Sequence, residues 1–181
     1  MAKRVALRPA GWLGERVVDV YSVSGCMSEA FADYVEFWKH NGYWLFDSPE
    51  RIEEVAREAA VDLAGVTLFY YEVYPYQFDA DERKWELFEP EKPLGVNVLI
   101  PAKKRLEGFD VVTFFVGSAP ECSPLSYNDM SKSIDTNEHC LIESLDQAME
   151  QLETGGFTNC EPGPYRIFAI YTLPFSWSTT H

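Results

Sequence analysis

Cys122, His139 and Glu72 are the residues of this 181-residue chain that are candidates for bond-making chemistry. Cys122 follows the turn Gly117-Ser118-Ala119-Pro120, a place where a loop presents a side chain to a ligand. With His139 as base and Asn128, Asn137 or Glu138 as orienter, it would complete a nucleophile, base and orienter set. A reactive thiol needs a nearby cation or helix N-terminus to lower its pKa, and the acids of this region act in the opposite sense. The competing reading of Cys122 is a small polarisable side chain packed under a loop. Glu72 stands in an aromatic run between Tyr70 and Tyr74. Held there, it is a base of raised pKa or a counter-charge for a cationic ligand, and facing water it is only the polar half of an alternating strand.

Cys122, His139, Cys140 and Cys160 carry metal-ligating atoms, but their gaps of 17, 1 and 20 contain no short-spaced pair of the kind zinc sites use. Adjacent His139 and Cys140 would also point to opposite faces of a strand. No metal and no cofactor is expected. The glycine-rich phosphate loops, the Gly-x-Ser-x-Gly elbow and the His-Glu-x-x-His helix are all absent.

A second kind of chemistry is recognition. Tyr70, Tyr71, Tyr74, Tyr76 and Phe78 are too dense for one face of a core, and tyrosine is favoured at binding surfaces. Tyr70, Tyr74 and Tyr76 are therefore candidate binding residues, with Ser126, Asn128 and Glu138 from the polar segment after Cys122. Formal net charge is -14, and residues 106–181 contribute eleven acids against Lys132 and Arg166 alone. A field of this sign repels nucleic-acid phosphate and anionic membrane, and it speeds encounter with basic proteins. Expected of this profile is an acidic binding protein that occupies a basic protein partner, as inhibitors and immunity proteins of toxins do. The alternative is a small enzyme or small-molecule-binding domain with a Cys/His/Glu-lined pocket. Whether the chain is an enzyme is left open, and Cys122 and His139 more than about 10 Å apart with no shared cleft would end the catalytic version.

The elements that must position these residues follow from periodicity. Glu15 to Val23 is rich in β-branched residues and reads as a strand. Ser28 caps a helix with Phe31, Tyr34, Val35 and Trp38 on one face, stopped by Asn41-Gly42. Tyr43 to Phe46 reads as a short strand, and Ser48-Pro49-Glu50 starts a helix that runs to about Leu63. Strands follow at Val66 to Tyr74, Lys84 to Phe88, Val96 to Ile100, Phe109 to Val116, His139 to Ile142 and Tyr165 to Leu173. Ser144 opens a last helix through the capping pattern Ser144-x-x-Gln147.

This order describes a single α+β domain over residues 1–181, with an irregular leader (1–14) and a frayed tail (176–181). Its mainly antiparallel, twisted sheet of about five to seven strands packs against three helices. Leu45 to Glu50 and Leu141 to Asp146 echo one another, which suggests a repeated strand-helix-strand unit. With no secretory leader, no membrane-length apolar run and no disulfide framework in its four cysteines, the chain is expected in the cytoplasm.

Overall fold

The computed structural model describes residues 13–24, 45–89, 98–114 and 120–177. The fold is α+β, an open four-stranded antiparallel sheet with three helices among the described residues. The strands are β1 (Phe69–Asp79), β2 (Lys84–Leu87), β3 (Arg105–Thr113) and β4 (Tyr165–Thr172), in the order β2-β1-β4-β3. The helices are α1 (Pro49–Glu58), α2 (Pro124–Tyr127) and α3 (Leu145–Glu153), with a 3-10 turn at Met130–Lys132.

Strand β4 is central, and Tyr165 to Ile170 are all buried because both faces of the sheet are covered. On one face Phe78, Val111, Tyr165 and Ile167 pack with Ala148 and Leu152 of α3 and with Leu125 and Phe157. On the other, Val112, Phe114 and Phe168 meet Val23, while Phe69 and Ile170 meet Leu141 and Tyr21. Helices α1 and α3 begin where their serines cap them: Ser48 Oγ accepts the Arg51 N–H, and Ser144 Oγ accepts the Gln147 N–H.

Two bulges shape the sheet. Between Val73 and Gln77 the β1–β4 register shifts, and the ring-locked Pro75 falls within this irregular stretch, where a lost ladder hydrogen bond is tolerated. Between Leu106 and Gly108 the β3–β4 register shifts again and leaves Glu107 as the extra residue.

Several expectations need correction. Glu15 to Val23 is not a strand: it runs along the edge beyond β3 as an irregular strap, donating the Val18 and Tyr21 N–H groups to the Glu138 and His139 carbonyls at 2.8 and 3.0 Å. His139 to Ile142 contributes only one bridge, Phe109 to Ile142, because Cys140 adopts a left-handed φ of 63° that breaks extension. Helix α1 stops at Glu58 rather than Leu63, since Ala60 turns to a φ of 52°. The described residues hold four strands, not five to seven. Residues 45–46 have no regular structure and Ile142 is a lone bridge, so the repeated strand-helix-strand unit is not seen. The expected helix after Ser28 lies outside the described residues, as do Val96 and Asn97, and residues 98–100 of the expected strand Val96 to Ile100 have no regular structure. No helix among the described residues is long and apolar enough to cross a membrane.

Candidate functional site

Glu72 sits on β1 opposite Ala169, on the sheet face shared by Tyr70 and Tyr171, which are themselves paired across β1 and β4. Its carboxylate is already engaged. Lys104 places its ammonium against Glu72 Oε1, and the Tyr171 hydroxyl donates to Oε2 at 2.7 Å. The same ammonium lies 4.8 Å from the Tyr70 ring centroid and 4.2 Å from that of Tyr171. The hydrogen bond from Lys104 holds the Glu72 carboxyl below its ordinary range, so it is not the raised-pKa base considered from sequence. Burial, and then the hydrogen bond to Glu72, pushes the Tyr171 hydroxyl up to about 12. Two tyrosines and a carboxylate thus form a cage around a cation.

His139 belongs to a different cluster, on the opposite face. Its Nδ1 is 2.5 Å from Asp19 Oδ1, and its ring stacks on Tyr21 at 4.1 Å with an interplanar angle of 4°. Its Nε2 looks toward Glu107 Oε2 at 4.0 Å and Glu138 Oε1 at 3.7 Å. Asp19 and Glu107 are buried, with side chains 4% and 7% exposed. The β3 bulge explains how Glu107 gets there. Gly108 follows at a φ of +146°, and a Cβ on it would meet Leu141 Cβ at 2.7 Å and the Ile142 carbonyl at 2.9 Å. Only glycine lets residues 137–142 approach this closely, so the bulge and the histidine segment depend on one another. Asn137 locks the turn, donating to the Glu107 carbonyl while its Oδ1 accepts the His139 and Leu141 N–H groups.

Cys122 is remote from both clusters. Its carbonyl accepts the Thr113 N–H at 2.9 Å at one end of β3, while Glu107 and His139 lie at the other, about 20 Å away at about 3.3 Å per residue. The structure does not bring Cys122, His139 and Glu72 together. Cys140 is buried and its thiol pushed up to about 12 by desolvation, and Cys160 is pushed up to about 11 for the same reason. Cys122, Cys140 and Cys160 are not joined in disulfides.

The remaining sequence candidates are dispersed. Tyr74 and Tyr76 pair at 5.5 Å beside the β1 bulge, with Trp85 edge-on to Tyr74. Ser126 is buried, its hydroxyl turned to the Ser123 carbonyl. Asn128 donates to Glu161 at 3.3 Å, and Glu138 is exposed beside His139. Among the described residues, one group of three acids has the closeness of metal ligands, Asp79, Glu82 and Glu86 at the β1–β2 hairpin. Lys84 already bonds Glu82 and Glu86 there, and Asp79 Oδ1 accepts the Asp81 and Glu82 N–H groups.

Residues that sequence reasoning missed include Asp19 and Glu107, which sit in no motif. Asp110 was also missed. It is fully buried on β3 and accepts the Ser22 hydroxyl at 2.5 Å and the Ser123 hydroxyl at 2.6 Å, tying the strap to the sheet. An acid inside an otherwise apolar strand was the available signal for it.

Part of the exposed acid lies on α3. Asp146, Glu150 and Glu153 follow one another at helical spacing on the exposed side of α3, and Glu143 precedes its cap. Helix α3 has no basic residue in its last turn. No protein-family model, curated protein or solved structure matches this chain.

Proposed function

We propose that this chain is a binding protein whose acidic surface occupies a basic protein partner. The observation that carries the reading is the α3 stripe of Glu143, Asp146 and Glu150, exposed and without a Lys or Arg ion pair among the described residues. Acids four residues apart on a helix repel, as Asp146 and Glu150 do, and Glu150 lies toward the C-terminal end, where the helix dipole disfavours negative charge and Arg83 meets the Glu153 carbonyl. An outside cation would relieve this repulsion on the water-facing side of α3. Dispersed reactive groups give the enzyme alternative no comparable support.

The test is affinity capture with the immobilised chain and with a Glu143→Gln/Asp146→Asn/Glu150→Gln variant. The reading expects a basic protein that the wild type retains at low salt, releases steeply as salt rises, and that the variant fails to retain. Retention that is insensitive to both salt and the three substitutions would overturn it.

A further inference from the structure

We propose that Tyr70, Glu72 and Tyr171 form a recognition site for a lysine side chain of the basic partner, and that Lys104 fills this site as an internal stand-in until the partner displaces it. The proposal rests on the reading of a basic partner and names a second place, away from α3, where that partner is gripped.

The cage has the composition that recognises an ammonium group. Both Glu72 oxygens are assigned, Oε1 to the ammonium and Oε2 to the Tyr171 hydroxyl, so the carboxylate is held in place to receive a cation. Two electron-rich rings lie within 5 Å of that cation, which fits a lysine head on a narrow aliphatic stem. The cage is not sealed: the Glu72 side chain is 39% exposed and that of Lys104 is 23% exposed. Lys104 is also the least fixed member, because it lies in the irregular stretch just before β3 begins at Arg105. The other three residues are held in paired strands.

A path for the partner lies alongside. Leu68 and Leu173, each two residues beyond the Tyr70–Tyr171 pair, line a groove of about 1120 Å³ together with Val61, Val66, Phe175 and Trp177. Along a strand, two residues span about 7 Å, so a segment lying in the groove brings a lysine within reach of the cage. Glu53 and Asp62 outnumber Arg57 on the groove's walls, which suits a basic segment. Tethered Lys104 competes at a high effective concentration, so only a partner that also uses other contacts, such as the α3 stripe, overcomes it. This arrangement discriminates against stray amines and favours a protein that satisfies both sites.

The experiment uses n-butylammonium chloride, a lysine side chain without its backbone, titrated against sodium chloride of equal concentration and read from the ring resonances of Tyr70 and Tyr171 by NMR. Lys104→Ala and Lys104→Gln should each bind the probe about tenfold more tightly than the wild type, with saturable shifts on both tyrosines. Adding Glu72→Gln to either variant should abolish the shifts. Equal response of wild type and both Lys104 variants, or shifts that miss Tyr70 and Tyr171, would overturn the proposal. Wild-type amide dispersion in the variant spectra reports that the fold is intact. The Glu143→Gln/Asp146→Asn/Glu150→Gln variant should take up the probe as its parent does, so the cage and the α3 stripe stand or fall separately.

Discussion

His139 Nδ1 lies 2.5 Å from Asp19 Oδ1, a contact between residues 120 positions apart that fastens the N-terminal strap to the segment beside β3. With Tyr21 stacked on the imidazole and Glu107 beyond it, the histidine acts as a clasp. Replacing His139 with Ala removes this hydrogen-bond partner of the buried Asp19 together with the stacking on Tyr21, and should cost about 2–3 kcal/mol. Asp19→Asn keeps a hydrogen-bonding group and should cost less, about 1–2 kcal/mol. Urea unfolding of the two variants measures both, and a His139→Ala midpoint equal to that of the wild type would remove the clasp from the account.

Gly108 sets the bulge that aims Glu107. Its φ of +146° and the 2.7 Å approach of Leu141 Cβ together predict that Gly108→Ala loses about 2–4 kcal/mol. Denaturant unfolding reads the loss, which should exceed that of Gly65→Ala, where nothing lies within 4 Å of the added carbon and only the φ of +74° is strained.

Asp110 gives stability a pH dependence of definite sign. Desolvation raises its pKa from 3.8 to about 6, outweighing the opposing hydrogen bonds from Ser123 and Ser22. The folded state therefore binds the Asp110 proton more tightly than the unfolded chain does. Its contribution is fully present below about pH 4, and it is lost as pH rises toward about 6, by roughly 3 kcal/mol at most. Asp110→Asn should remove this slope, so the difference in unfolding free energy between wild type and variant should change across pH 4 to 6 and be flat above about pH 7.

Thiol chemistry checks the burial of Cys140 and Cys160. Cys140, buried and pushed up to about 12, should resist an aromatic disulfide reagent at pH 8 until the protein unfolds. Cys160, at about 11, should react slowly. Mass mapping of the labelled peptides distinguishes the two, and rapid native labelling of Cys140 would contradict the packing around Ser131 and Ile134.

Local signals read well from the sequence where one residue type answers one physical need. Ser48 and Ser144 cap helices as their spacing implies, and a strand forms at Lys84–Leu87, where Lys84 to Phe88 was expected. The β1 strand was legible, but its continuation past Pro75 was not, because a proline argues for a stop unless a bulge absorbs it. The strap defeated sequence reasoning for the opposite reason. Glu15 to Val23 has a strand's composition, yet its hydrogen bonds go to a turn at Glu138 and His139, a pairing that only the long-range fold supplies. At the candidate site, Glu72 and Tyr70 were identifiable from their spacing. Lys104 and Tyr171 were not, because the cage assembles from three segments that no local pattern connects.

The most direct measurement of the central claim is the affinity of the captured basic protein for the wild type and for Glu143→Gln/Asp146→Asn/Glu150→Gln across a salt series. The account predicts a steep fall in wild-type affinity with salt, and a variant that binds at least about tenfold more weakly at low salt with a shallower dependence. The variant should have about the stability of its parent, since relief of the Asp146–Glu150 repulsion offsets the loss of the favourable Asp146 charge in the first turn of α3. Equal affinities and equal salt slopes for the two proteins would contradict it.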